Sequence, residues 1–339
     1  MSSPQKSPYT VVGAGAIGGT LAHHLARAGH LVTVVDADPD HVAAIAADGI
    51  TMVRDNETVS VRVAAATTPD VGPDTLGRVL LAVKAQATDK ALDWIAPRLA
   101  ADGFVVSLQN GLNEDAIAAR VGAARTVGAF VNLFADVIGP GQIRDGGLGA
   151  LVVGELDGSQ SERVRSVVQD LQSWGPACAT TNVVGYLWSK LGFGAMLTAT
   201  ALADAPMAEL IDRHRPLMYE LSGEVFAVAQ ALGITLEPFD AFDPTPYSGS
   251  DTAAKDAATD RLVAWLCTQS KDRSGIWRDL AVLHRPTEVP THYGAVFEAA
   301  DRARVDTPLL RTLLLQIGEL EGGAEMSEER LYDLAAVSA

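Results

Sequence analysis

The stretch Tyr9–Asp36, YTVVGAGAIGGTLAHHLARAGHLVTVVD, decides the fold. Tyr9–Val12 is short, apolar and β-branched, the pattern of a strand buried on both faces. Gly13, Gly15 and Gly18 follow in the order G-x-G-x-x-G, with Gly19 behind them. In a dinucleotide-binding turn the first glycine permits the sharp bend. The second lets a pyrophosphate reach the backbone, and the third lets the helix pack close to the strand. Ala16 and Ile17 lie at the start of that helix, whose N-terminus suits an anion. Ile17, Leu21, Leu25 and Ala28 recur at helical spacing, and Gly29 supplies a stop. Leu31–Val35 reads as a second strand. It ends in Asp36, about twenty residues past the glycines, where such folds place the acid that binds the adenosine ribose.

Outward from that unit, the chain has 339 residues, enough for two domains. Hydrophobic residues make up 48% and charged ones 20%, as in a globular protein with a large core. The formal net charge of −16 argues against nucleic acid and anionic membrane as partners, so an anionic ligand needs a local basic group. Cys178 and Cys267 stand alone and indicate neither a disulfide framework nor a cysteine zinc site. The opening residues MSSPQKSPY lack an apolar signal core and no long uncharged apolar run follows, which points to the cytoplasm.

Further alternation follows. A helix is expected over 39–47, and an antiparallel pair over 50–63 turning at Asp55 and Asn56. Strands are expected over 79–83, 104–108, 126–132, 150–153 and 177–180, with helices over 87–99, 113–121 and 162–174. Asn113 offers a helix cap, and the glycine-rich 139–149 reads as a loop. These elements predict an α/β Rossmann-type domain over residues 1–181, with a mostly parallel sheet covered on both faces. Residues 182–339 read as all-α. Helices are expected over 183–204, 216–232, 251–270, 291–303 and 308–321, with a proline-rich aromatic loop at 240–250.

Four polar residues stand out. Lys84 directly follows a strand, at the carboxyl edge where open α/β sheets bind ligands. It is either a solvated strand-end lysine or a charge facing cofactor or acidic substrate. Asn110, in Leu108-Gln109-Asn110-Gly111, ends the next strand. It is either a turn residue before glycine or an amide bonding to a ribose or carboxylate. Lys190 lies in Tyr186-Leu187-Trp188-Ser189-Lys190-Leu191, inside an otherwise apolar helix. Unless it reaches solvent, burial there lowers its pKa toward a value useful for proton transfer. Glu288 lies in His284-Arg285-Pro286-Thr287-Glu288-Val289-Pro290. The His284, Glu288, His292 spacing suggests metal only on an uninterrupted helix, which Pro286 and Pro290 deny, so no metal is expected.

Taken together, Gly13-Ala14-Gly15-Ala16-Ile17-Gly18-Gly19, Val83-Lys84, Leu108-Gln109-Asn110-Gly111, Trp188-Ser189-Lys190-Leu191 and Arg285-Pro286-Thr287-Glu288 resemble the ketopantoate reductases (2-dehydropantoate 2-reductases) over residues 8–320. The resemblance implies a Rossmann domain followed by an all-α domain of the 6-phosphogluconate dehydrogenase C-terminal-like kind. It implies that Lys190 donates the proton to the keto oxygen and that Glu288 binds the substrate hydroxyl. Lys84 and Asn110 match residues lining the cofactor and substrate site. Departures are as informative. Where the family carries asparagines one and two helical turns past the lysine, this chain has Gly194 and Thr198. The family's serine pair is replaced by Gly275-Ile276, with Ser274 adjacent. Lost hydrogen-bonding groups and the space expected at Gly194 imply a larger or less polar substrate than ketopantoate. Many family members place an arginine near the end of the second strand, suited to a 2′-phosphate; Asp36 there predicts NAD(H) over NADP(H).

The expected function is thus hydride transfer between a nicotinamide and the carbinol or keto carbon of a 2-hydroxy or 2-keto acid or related alcohol, with a small molecule as partner. Ordinary ketopantoate reduction and a non-catalytic dinucleotide sensor are the alternatives. A helical second domain is compatible with a homodimer.

Overall fold

The computed structural model describes residues 8–55, 57–67 and 73–337. Asn56, half of the expected hairpin turn, and the first seven residues lie outside them. The chain divides into two compact units, residues 1–183 and 184–339.

The first unit runs β1 (Tyr9–Val12), α1 (Ala16–Arg27), β2 (Val32–Asp36), α2 (Pro39–Asp48), β3 (Ile50–Arg54), β4 (Glu57–Val61), β5 (Ala64–Thr67), β6 (Leu76–Leu81), α3 (Thr88–Ile95), β7 (Leu99–Ser107), α4 (Glu114–Val121), β8 (Thr126–Val131), β9 (Ala135–Gly139), β10 (Gln142–Asp145), β11 (Leu151–Glu155), α5 (Glu162–Leu171) and β12 (Ala177–Ala179). Eight strands form one sheet in the order β12-β11-β8-β7-β6-β1-β2-β5. Every pairing in it is parallel except β11 with β8. Alternation along the strands divides the core between two faces. Val11, Leu80 and Val106 pack with Leu21 and Leu25 of α1 and Val164 and Val167 of α5. Val12, Val79, Leu81 and Val105 pack on the other face with Leu92 and Ile95 of α3 and Ile117 and Val121 of α4. β1 is flanked by β2 on one side and β6 on the other, so the order reverses there. The carboxyl ends of β1 and β6 form the switch point where such sheets bind ligands.

Three local expectations change. Residues 139–149 are not simply a loop: β9 and β10 pair as a hairpin around Gly141 (φ 69°), and β10 adds in parallel to β3. They complete a second sheet, β4-β3-β10-β9, in which Ile143 is wholly buried and packs against Gly19. β5, an alanine-rich edge strand beside β2, carries too little β-branched character to be read as one. Asn113 occupies the cap position of α4, but its side-chain amide donates back to the Asn110 carbonyl at 2.8 Å instead of capping.

The second unit is helical: α6 (Val183–Thr200, whose first residue closes the first unit), α7 (Met207–Arg213), α8 (Arg215–Ala231), α9 (Thr252–Leu266), α10 (Gly275–Ala281), α11 (Val289–Ala303), α12 (Pro308–Glu321) and α13 (Glu329–Ala335). The short α7, α10 and α13 were not separable by periodicity at seven residues each. Pro290 sits in the first turn of α11, where its missing N–H costs nothing, so it starts that helix instead of interrupting one. Among the described residues no helix is long and apolar enough to cross a membrane.

Candidate active site

In the first unit the candidate cofactor site is built by the ends of β1, β2, β6 and β7. Gly13 turns at φ 96°, and a Cβ there would strike the Val83 backbone nitrogen at 2.6 Å. A Cβ on Gly18 would overlap the Gly13 carbonyl, and one on Gly19 the Ile143 side chain. The glycine turn is therefore pressed against the end of β6. Gly15 differs: a Cβ there would meet nothing within 4 Å. No packing among the described residues requires glycine at that position, whereas a pyrophosphate laid on the backbone would. Gly15 also stands at the cap of α1, with no side-chain cap, and the half-buried Ala16 and Ile17 open the helix, whose first backbone N–H groups have no intrahelical acceptor. These features fit a dinucleotide.

Asp36, at the end of β2, accepts from the Ala14 N–H at 2.7 Å through one oxygen and from the Asp38 N–H at 3.0 Å through the other. Its charge is thereby fixed beside the glycine turn. His41 of α2 supplies a second tie. Its Nε2 lies 2.9 Å from the Ala14 carbonyl, and its Nδ1 accepts from the Gly141 N–H at 3.1 Å. Those two bonds require the neutral ring with its proton on Nε2. His41 thus joins the glycine turn to the second sheet, a link between residues 100 positions apart that no local pattern could signal.

Lys84 follows β6 and is exposed. Asn110 follows β7, also exposed, and the two strands are paired neighbours. Between them Gln109 is buried and donates to the Val83 carbonyl at 2.9 Å and to Thr88 Oγ1 at 2.8 Å. The residue that fixes this edge is therefore Gln109, and it leaves Asn110 turned outward. Glu114, in the first turn of α4, is buried, and burial pushes its carboxyl up to about 7.

The second unit carries the candidate proton-transfer group. Lys190 is half-buried on α6 among Leu187, Trp188, Leu191 and Phe193. Burial pushes its ammonium down to about 8, opposed by the negative charges of Asp240 and then Glu288. Glu288 is half-buried at the N-cap of α11, with His292 Nε2 3.9 Å from its carboxylate. The turn before it is held by Thr287, whose N–H and hydroxyl both donate to Glu321 Oε1 at 2.7 Å. Asp240 is a member of this group that sequence reasoning missed. It lies in the aromatic segment read as a loop, and its left-handed conformation (φ 47°) is visible only in the fold.

Gly194, one turn past Lys190, does not open free space as expected. A Cβ there would lie 3.2 Å from the Tyr293 hydroxyl. Tyr293, on α11, is buried and donates to the Leu191 carbonyl at 2.9 Å. Thr198 is buried as well, and its hydroxyl donates to the Gly194 carbonyl at 2.7 Å. Of the two positions that lack the family's amides, Gly194 thus faces the Tyr293 hydroxyl and Thr198 bonds back to Gly194. Ser274 is buried and caps α10, accepting from the Trp277 N–H at 3.2 Å, while Ile276 is half-buried on the same helix.

The family model described as "Ketopantoate reductase PanE/ApbA" matches residues 9–158, and its C-terminal counterpart matches residues 182–321. A 2-dehydropantoate 2-reductase of Mesorhizobium japonicum is 32% identical over 251 residues, 66% of this chain and 76% of its own. That of Halobacterium salinarum is 27% identical over 92% of this chain and 99% of its own. Among solved structures, a PanE/ApbA family ketopantoate reductase from Ralstonia eutropha superposes with TM-score 0.77 at 26% identity, covering 94% of this chain and 99% of that one. A D-mandelate dehydrogenase solved with NADH and anilino(oxo)acetate superposes with TM-score 0.80 at 23% identity, with the same coverage. The chain belongs to the ketopantoate reductase family of nicotinamide-dependent oxidoreductases.

Proposed function

We propose that this protein is an NAD(H)-preferring oxidoreductase that interconverts a 2-keto acid and its 2-hydroxy acid, on a substrate less polar than ketopantoate. The observation that carries it is Lys190: an amine in an apolar helix, lowered to about 8 and facing two carboxylates. Such an amine holds its proton at neutral pH and gives it up readily, as a general acid should. A nicotinamide, when bound, supplies or accepts the hydride. Lys190 Nζ protonates the oxygen of the carbonyl as it becomes an alcohol, and takes that proton back in the oxidative direction. Glu288 orients the substrate by accepting from a hydroxyl, and Asn110 donates to a ribose or substrate oxygen. Gly13, Gly15, Ala16, Ile17 and Gly18 hold the pyrophosphate, with Lys84 near its negative charge. Asp36 accepts from the ribose hydroxyls and repels a 2′-phosphate, which supports preference for NAD(H).

The lower polarity of the substrate is inferred from two positions. Gly194 offers no side chain and Thr198 has already spent its proton on the Gly194 carbonyl. Ketopantoate's hydroxyl would find fewer partners there. The D-mandelate dehydrogenase neighbour, solved with NADH and anilino(oxo)acetate, supports this reading. Ketopantoate reduction itself is favoured by the names of the curated relatives. The purified protein, assayed with NADH and NADPH against ketopantoate and a series of alkyl and aryl 2-keto acids, separates the two. Higher kcat/KM for an apolar keto acid with NADH supports the proposal; preference for ketopantoate with NADPH overturns it.

A further inference from the structure

The segment after α8 is fastened to α6 on both sides of Lys190. One residue before the lysine, Ser189 Oγ accepts from the Glu237 N–H at 3.0 Å. Three residues after it, the Phe193 ring lies 6.0 Å from Phe239 and 5.1 Å from Phe242. Phe239 and Phe242 bond to each other's backbone, N–H to carbonyl, at 3.0 and 2.8 Å, closing a two-residue turn over Asp240 and Ala241. Both phenylalanines are buried while Asp240 is exposed. Asp240 takes a left-handed conformation (φ 47°) that aspartate, asparagine and glycine tolerate and most residues do not. Two buried aromatic anchors and a main-chain bond thus hold one solvent-facing carboxylate beside the lysine.

We propose that Asp240 is a positioning residue for Lys190, acting as its counter-ion and as the route by which its proton is exchanged with solvent. The proposal rests on the role given to Lys190 above. Each turnover in the reductive direction takes one proton from Lys190 and leaves a neutral amine. The exposed carboxylate beside it takes up a proton from solvent hydronium or buffer acid and passes that proton to the amine, returning to carboxylate, so each reductive turnover draws one proton from solution. Two groups bear on the Lys190 charge, Asp240 from the turn and Glu288 from the start of α11. His292 stands behind Glu288.

The test is the pH dependence of Lys190 acetylation by acetic anhydride, followed by peptide mass spectrometry on the full-length protein without cofactor or substrate. Asp240→Asn keeps the turn, because asparagine tolerates the same backbone, and removes only the charge. Loss of a neighbouring negative charge should move the midpoint below the wild-type value by about half a pH unit or more. A merely structural role would act in the opposite sense: a loosened turn admits water and raises the midpoint toward that of a free lysine. An unchanged or raised midpoint overturns the proposal. Because no turnover is measured, a fall in midpoint upholds Asp240 as the counter-ion even if the substrate proposed above is wrong, and an unchanged midpoint removes Asp240 alone.

Discussion

Replacing Lys190 by methionine should separate catalysis from stability. Methionine matches the lysine stem in length and is apolar, as are the buried neighbours Leu187 and Leu191 along α6, so packing changes little. What disappears is an ammonium held in poor solvent. Lowering it from 10.5 to about 8 corresponds to about 3 kcal/mol against the charged form. Part of the side chain still meets water, so we expect a gain of about 1–2 kcal/mol for Lys190→Met at neutral pH after allowance for screening. The two carboxylates do not reverse this sign. Burial outweighs both of them in setting the lysine, and Asp240 stays solvated when its partner is lost.

The pH dependence follows from the direction of the shift. Below about 8 the lysine is charged in the folded and the unfolded chain alike, and the folded state bears the whole cost. Between about 8 and 10.5 the folded protein releases a proton that the unfolded chain still binds, so wild-type stability gains with rising pH. The advantage of Lys190→Met should therefore be full at about pH 6.5 and shrinking by about pH 9.5, as measured by urea denaturation at each pH. Turnover should fall by at least about a hundredfold in the same variant. A variant less stable than wild type at neutral pH, or a gap that does not narrow with pH, would show that Lys190 is held by favourable contacts and not poised by burial.

Three further outcomes are expected. Glu114→Gln should flatten the acid side of the stability profile: the wild-type carboxyl binds a proton between 4.5 and about 7 that the unfolded chain has lost, so wild-type stability declines as pH rises through that window. The glutamine variant should be more stable at about pH 8 by up to about 3 kcal/mol, and equal slopes in denaturation series would refute the assignment. Asp36→Asn keeps an acceptor for the Ala14 N–H but drops the charge, and should raise the NADPH-to-NADH ratio of kcat/KM by about tenfold or more; an unmoved ratio removes Asp36 from cofactor choice. Gly194→Asn should destabilise by about 1–3 kcal/mol by striking the Tyr293 hydroxyl, and Tyr293→Phe, which deletes that atom, should restore part of the loss; strict additivity in thermal melts would show that the two positions are uncoupled.

The glycine turn and the strands around it were legible because their causes are local. Gly13 and Gly18 are required by backbone that lies within or beside the same βαβ unit, and the carboxyl halves of the parallel strands β6 and β7 carry short buried apolar runs, Val79–Leu81 and Phe104–Val106. The second sheet was half hidden for the converse reason. β3 and β4 form a local hairpin, but β9 and β10 join them from about ninety residues further on, through Thr51, Met52 and Val53. Glycines 139, 141, 146, 147 and 149 dominate that stretch in composition and masked the alternation that buries Ile143 alone.

The candidate site divides along the same line. Lys190 could be singled out because a charge in an apolar helical run is anomalous within its own ten residues. Asp240 could not, since an aspartate in a proline-rich loop is unremarkable until Phe239 and Phe242 are seen to clamp it against α6. Gly194 shows the cost of reading one position at a time. Absence of a side chain suggested empty volume, yet Tyr293, 102 residues from the Leu191 carbonyl it bonds, has taken that volume. Close packing leaves little unfilled volume, and here a neighbouring helix supplies the atoms that meet Gly194. Altering Gly194 without Tyr293 therefore tests collision more than recognition.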